Sequence, residues 1–339
     1  MKVYVVGAGV SKTVGYPLGK ELFDNIDDFI RSQRCFNRFD YQKDWPELCR
    51  WFETNSNPLV SQAYRSRQLE HLFTILDHSM ILRAESLTGE SWDYLRRREM
   101  LLWALEAYVE QRHNTDIAGS KTPDWNRLRA FCRKLCPGDA VITFNYDSTL
   151  ERVLLDEKKW SPCDGYGFAV ALQKMFLGPP VPEFDLSSMK VLHLHGAVGW
   201  YRNSSASQEP CLSLGPIFLR DLGINAVDAS MPTNPPTEHT RLLQPSFLKT
   251  YDDPIFVWLW KAAAEALRKA DEIVVIGYSL PKADSAALTL FLTNSDRAKV
   301  RIVNSDPDDN YRLRQLLSND PLSPPQCFED WLGKAPDCA

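Results

Sequence analysis

Lys2 to Val6 (Lys-Val-Tyr-Val-Val) is an apolar, β-branched run that stops at Gly7-Ala-Gly9, and no other junction constrains the fold as strongly. Such a run reads as a buried strand. Gly7 and Gly9 then turn the backbone where a residue without Cβ turns most easily. Ser11 follows, and helix-like sequence begins at Lys20. A strand, a Gly-x-Gly turn and a helix in succession aim backbone N–H groups at a phosphate. The fingerprint of hydride-transfer enzymes fits poorly. Lys12 stands where that pattern wants a third glycine, and the region that should close a second strand with an acidic residue carries Asp24, Asp27 and Asp28 on a helix.

Strands return later in the chain. Asp139 to Thr143, Met189 to Leu194, Glu272 to Ile276 and Lys299 to Val303 are short apolar runs, and helical patterns cover Asp147 to Leu155, Pro254 to Lys269 and Ala283 to Thr293. Strands alternating with helices imply a parallel sheet covered on both faces. Between the first two strands the spacing is helical: Lys20 to Arg31, Leu69 to Leu82, Tyr94 to Gln111, and Trp125 to Leu135, the last stopped by Pro137 and Gly138. The expected fold is therefore α/β, a Rossmann-like doubly wound parallel sheet with a large inserted helical region. One domain spans 1–339, its core at about 1–20, 136–200 and 245–315 and its helical insertion at about 21–135. Residues 160–186 and 203–236 read as irregular, the second as a mobile cover or a long surface insertion.

Composition narrows the function classes. The chain has 339 residues, is 44% hydrophobic and carries a net charge of −5. Neither a nucleic-acid partner nor a membrane surface is expected from that balance. No apolar run approaches the roughly 18 residues of a spanning helix, so a cytoplasmic protein is expected. Eight cysteines (Cys35, Cys49, Cys132, Cys136, Cys163, Cys211, Cys327 and Cys338) include no C-x-x-C pair. They read as free thiols, with no metal site.

Polar residues follow the strand ends: Gly7-Ala8-Gly9 and Ser11, Thr143-Phe-Asn145-Tyr-Asp147, His195-Gly196, Gly277-Tyr-Ser279, and Asn304. Ligands of open parallel sheets bind beyond the carboxyl ends of the strands. Each piece also has a structural reading. Asn145 or Asp147 could cap the following helix, His195 could be a core histidine, and Gly277 could be a plain turn. His193 shares a strand face with His195 and is an alternative to it, but lacks the adjacent glycine.

Together, Gly7-Ala-Gly-Val-Ser11, Thr143-Phe-Asn-Tyr-Asp147, Leu194-His-Gly196, Ile276-Gly-Tyr-Ser-Leu280 and Val303-Asn304 resemble the sirtuin-like NAD-binding family, over roughly half the chain. Leu69 to Leu76 and Ser246 to Asp284 look like its bacterial anti-phage-defence branch. The four-cysteine zinc module of the protein deacylases is lacking, and Tyr16-Pro-Leu-Gly19 stands where they carry an Asp-Phe-Arg loop. The resemblance thus implies an NAD+ glycohydrolase, with NAD+ as substrate and no further cofactor. It also implies a defence setting, with a homo-oligomer or partner protein as trigger. In that reading Asn145 positions ribose or water and His195 is the general base. Asp147 accepts from the nicotinamide carboxamide, and Gly7, Ala8, Gly9 and Ser11 cradle the diphosphate. Gly277 belongs to the NAD-binding set, Ser279 adds a phosphate or ribose contact, and Asn304 meets the adenosine ribose. A non-catalytic NAD or ADP-ribose sensor, an ADP-ribosyl transferase, a residual deacylase and an unrelated α/β protein stay open as alternatives.

Overall fold

A computed structural model describes residues 1–32, 40, 42–81, 91–118, 123–168, 170–171, 189–202, 212–214, 241–249, 251, 253–295, 298–317 and 326–338. In chain order the elements are β1 (Lys2–Val6), α1 (Ala8–Ser11), α2 (Gly19–Ser32), α3 (Asp44–Glu53), α4 (Pro58–Arg65), α5 (Leu69–Ile81), α6 (Ser91–Ala118) and α7 (Pro123–Lys134). There follow β2 (Ala140–Thr143), α8 (Thr149–Asp156), α9 (Pro162–Gly165), β3 (Val170–Ala171), β4 (Lys190–His193), β5 (Trp200–Arg202) and β6 (Leu212–Leu214). The last elements are α10 (Pro254–Lys269), β7 (Glu272–Ile276), α11 (Ser285–Asn294), β8 (Lys299–Val303), α12 (Pro307–Leu317) and α13 (Phe328–Lys334).

The five long strands form one parallel sheet in the order β4-β2-β1-β7-β8. The chain therefore builds outward from β1 through β2 to β4, then returns to the other side of β1 for β7 and β8. This is the Rossmann order without its sixth strand, and its topological switch point lies at β1. Register makes the strand ends flush. Val6 pairs with Thr143 and with Ile276, Thr143 with His193, and Ile276 with Val303. The residues that follow these five positions thus emerge along one edge. Near-continuous burial of Val3 to Val6, Ala140 to Ile142 and Ile273 to Ile276 is what a two-sided parallel sheet demands.

The chain divides into two compact units: 1–16 with 113–242 and 251–339, and 17–112 with 243–250. The second unit is built on helices. Its core includes Phe23, Trp45, Phe52, Leu72, Phe73 and Leu105. Within it Asp27 accepts from Trp45 Nε1, Arg31 Nε and Arg67 Nη2 at 2.7–2.8 Å. Burial alone would raise its pKa, but these donors outweigh that and hold it below the usual carboxylate range. Asp24 accepts from Arg67 Nε at 2.6 Å.

The sheet unit holds features the sequence patterns do not announce. β3, β6 and β5 form a second small sheet, with β5 and β6 antiparallel. Two stretches read as irregular therefore contain strand, at Val170–Ala171 and Leu212–Leu214. The remainder of 203–236 lies outside the described residues. Cys136 and Cys338 form a disulfide with their Cα atoms 5.4 Å apart, which corrects the expectation of free thiols there. Among the described residues Cys49, Cys132 and Cys327 are free. Cys338 N–H donates to Arg133 O near the end of α7 (3.1 Å), which sets the C-terminal segment beside Cys136. Trp331 of α13 packs near Tyr4 of β1 and Phe131 of α7 (ring centroids 6.2 and 6.1 Å), and Lys134 Nζ donates to Ala335 O.

Candidate functional site

The β1 turn is closed by backbone packing. Gly7 N–H donates to Ile276 O (3.1 Å), Gly9 N–H to Gly277 O (2.9 Å) and Gly277 N–H to Val303 O (3.0 Å). A Cβ on Gly7 would lie 2.6 Å from Tyr278 Cα, and one on Gly9 would lie 2.7 Å from Gly277 Cα. Gly277 has φ +59°, and its own Cβ would lie 2.7 Å from Gly9 Cα. The turns after β1 and β7 thus touch backbone to backbone, and the N–H groups of Gly7 and Gly9 are bonded to the neighbouring strand. Ala8, between them, is half-buried.

Asn145 ties the β2 turn to the β1 turn. Its Nδ2 donates to Gly7 O (3.1 Å) and to Ser11 Oγ (2.9 Å), and its own N–H donates to Thr143 Oγ1 (3.1 Å). The turn is also laced to β4, since Leu194 N–H donates to Thr143 O and Val198 N–H to Tyr146 O. Asp147 is buried. Its Oδ1 accepts from Thr149 N–H (3.2 Å) and from Thr149 Oγ1 (2.5 Å), an Asx-type contact that opens α8.

The two histidines at the carboxyl end of β4 have different environments: His193 closes the strand and His195 lies in the turn that follows. His193 is 1% exposed and lies between two acceptors, Asn145 O at 3.1 Å from Nδ1 and the Glu151 carboxylate at Nε2. Burial disfavours the charged ring, but Glu151 and then the Asn145 carbonyl more than compensate, and the pKa is raised. Nδ1 faces a carbonyl oxygen and so donates to it, and the Glu151 carboxylate beside Nε2 favours the protonated ring. His193 is a sealed ion-pair partner, fully engaged below the turn that carries Asn145.

His195 stands further out, in the turn after β4. Gly196 (φ +75°) makes its place, because a Cβ there would fall 1.9 Å from Arg241 O where that segment crosses. Trp260 Nε1 donates to Leu194 O (3.2 Å) and steadies the same turn. The imidazole meets Phe144 edge-on at 5.1 Å and Tyr146 at 6.2 Å. Its Nε2 is buried and lies 3.3 Å from Asp284 Oδ1, off-line for a hydrogen bond. Asp284 Oδ2 accepts from Tyr278 O–H (2.9 Å), and the Tyr278 ring stacks on Phe144 at 4.2 Å. Burial first, and then the Asp284 charge, push the Tyr278 phenol well above its ordinary value, so it remains a donor.

Ser279 and Asn304 lie at the β7 and β8 ends and are half-buried. Ser279 O accepts from Arg312 Nη2, while Asn304 Oδ1 accepts from Asp306 N–H (3.0 Å) at the approach to α12. The structure therefore gathers Gly7, Ala8, Gly9, Ser11, Asn145, Gly277 and Ser279 around the β1 switch point, with His195 beside them. Asp147 and Asn304 open the helices after their strands. Sequence reasoning missed Glu151, Tyr278 and Asp284. The signal for Tyr278 and Asp284 was present in Gly277-Tyr-Ser-Leu-Pro-Lys-Ala-Asp284, of which only the glycine and serine were read. Among the described residues no cluster of three or more His, Cys, Asp or Glu side chains could hold a metal ion, and no helix is long and apolar enough to cross a membrane.

No family model and no curated protein matches this chain. Among solved structures it is similar to a Sir2 homologue mutant bound to ADP-ribose (16% identity, covering 98% of this chain and 89% of that one, TM-score 0.36). It is likewise similar to Sir2Tm bound to a propionylated peptide (15%, 99% and 90%, TM-score 0.35). A third is Sir2 with a p53 peptide and NAD+ (15%, 99% and 90%, TM-score 0.34). At these values the overlap is loose, and the site is read from its own geometry.

Proposed function

We propose that this chain binds NAD+ across the carboxyl ends of β4, β2, β1 and β7 and hydrolyses the nicotinamide–ribose bond to nicotinamide and ADP-ribose. The observation that carries the reading is the bridge made by Asn145. One amide joins the β1 turn to the β2 turn at the switch point of the sheet, where nucleotides bind in such folds. The diphosphate lies along Gly7, Ala8, Gly9 and Ser11. The glycines serve by close backbone approach rather than by their N–H groups, which are bonded to β7 and its turn. Gly277 and Ser279 add a phosphate or ribose contact, Asn304 meets the adenosine ribose, and Asp147 accepts from the carboxamide.

Bond cleavage passes through an oxocarbenium-like centre at the ribose C1′. Nicotinamide leaves as a neutral molecule, because the glycosidic nitrogen of NAD+ is already cationic. Water adds to C1′ and gives up one proton. His195 accepts that proton, and Asn145 places the water or a ribose hydroxyl. The biological setting we propose, on the sequence resemblance, is depletion of NAD+ in an anti-phage defence. A partner protein or self-assembly would be the trigger.

The test is NAD+ turnover by the purified full chain at several concentrations, with calorimetry for binding. Asn145→Ala and His195→Ala are each expected to lower turnover by about a hundredfold to ten-thousandfold while keeping the parent circular dichroism. Parent-like turnover in both variants refutes the site. NAD+ binding with no turnover at any concentration favours a sensor, and no binding refutes an NAD site altogether. A modified peptide or protein in place of free ADP-ribose makes the chain a transferase or deacylase.

A further inference from the structure

We infer that Asp284 is the positioning residue of His195, fixing the imidazole with Nε2–H toward the carboxylate and Nδ1 as the proton acceptor. The inference rests on His195 being the base of the proposed reaction. The first observation is where Asp284 does not point. It occupies the N-cap of α11, yet its side chain makes no capping hydrogen bond. An aspartate there ordinarily accepts from the first turn and stabilises the helix by about 1 kcal/mol. In this chain the carboxylate turns inward instead and is 4% exposed.

What it meets inside is the second observation. Oδ2 takes the Tyr278 hydroxyl at 2.9 Å, and Oδ1 faces His195 Nε2 at 3.3 Å. His195 Nε2 is buried without an in-line partner, a polar atom that a small rotation toward the adjacent Asp284 carboxylate would satisfy. Such contacts tighten when a substrate fills the site. The frame is rigid. Phe144 is stacked on Tyr278 and meets His195 edge-on, so the imidazole is held by aromatic faces and one charge. Tyr251 senses that charge too. Burial, with Asp284 next, pushes its phenol up to about 12.

The hydroxyl of Tyr278 makes the test decisive. In Asp284→Asn the Tyr278 O–H still needs an acceptor. The amide carbonyl takes that place, and the NH2 group faces His195 Nε2. Nε2 must then accept, so the imidazole proton moves to Nδ1 and the base is lost. Nitrogen-15 spectra of the histidines, with His195 assigned by the resonance missing in His195→Gln, are expected to show Nε2–H in the parent and Nδ1–H in Asp284→Asn. In the NAD+ assay kcat is expected to fall by about tenfold to a hundredfold, with KM unchanged. Tyr278→Phe removes the lock on the amide, and Tyr278→Phe/Asp284→Asn should regain part of the Nε2–H population. The same tautomer in parent and Asp284→Asn overturns the inference, as does kcat within twofold of an active parent. If the parent turns over no NAD+, the proposed function fails. The tautomer readout then decides the role of Asp284 alone.

Discussion

Replacing Gly277 with alanine adds one methyl group to a backbone that has two separate reasons to reject it. Its φ of +59° lies in the left-handed region, which costs a residue with Cβ about 1–2 kcal/mol. The new Cβ would also sit 2.7 Å from Gly9 Cα and 2.9 Å from Val10 N. Those atoms are backbone of the β1 turn and cannot swing aside, so overpacking adds about 1–3 kcal/mol. The sum is about 2–5 kcal/mol. Two other glycines separate the terms. Gly138 has φ +87° with nothing within 4 Å of its would-be Cβ, so Gly138→Ala carries the backbone term alone. At Gly9 no left-handed φ enters and the contact with Gly277 Cα is 2.7 Å, so Gly9→Ala carries the contact term alone. Urea unfolding of the parent and the three variants, compared at a common slope, reads all three. Gly277→Ala should exceed each of the others. If it is no worse than Gly138→Ala, or if Gly9→Ala is neutral, the two turns do not pack backbone to backbone and the interpretation of the glycines is wrong.

Asn145→Ala removes donors to Gly7 O and Ser11 Oγ and should cost about 1–3 kcal/mol of stability, measured by the same titration, besides its effect on turnover. His193 gives a pH dependence. Its folded pKa is raised above the ordinary value, so its contribution is full below about pH 6.5 and is lost as pH rises through the folded value. Unfolding at a series of pH values should show that decline in the parent and a flatter profile in Glu151→Gln, which should itself be about 3–5 kcal/mol less stable at the acid end. The Cys136–Cys338 disulfide closes a long loop, with a sequence separation of 202. Cys338→Ser should therefore lower stability by up to about 5 kcal/mol, and adding reductant to the parent should match it, with no further effect of reductant on the variant.

The sequence by itself determined the sheet and most of its exits. β1, β2, β4, β7 and β8 were legible because buried parallel strands are short apolar runs, and each ends at a residue type that breaks the run: Gly7, Asn145, His195, Gly277 and Asn304. In the second unit α2, α5 and α6 were legible from their apolar spacing, whereas α3 and α4, of 10 and 8 residues, were not, because so short a stretch repeats its apolar face only two or three times. Strand order, and with it the switch point at β1, came only from pairing, since no local pattern says which strands are neighbours. The glycines show the same divide. The chain marks Gly7, Gly9 and Gly277 as turns, but that each exists to admit the other's backbone is a contact between segments far apart in sequence. Tertiary structure alone separated the two histidines. His193 and His195 share a residue type and stand two positions apart at the end of β4. The buried Glu151 carboxylate engages one inside the fold and raises its pKa, and Asp284 with Tyr278 lies beside the other in the turn after β4. Electrostatic surroundings are assembled by the fold, and they decide what an imidazole does.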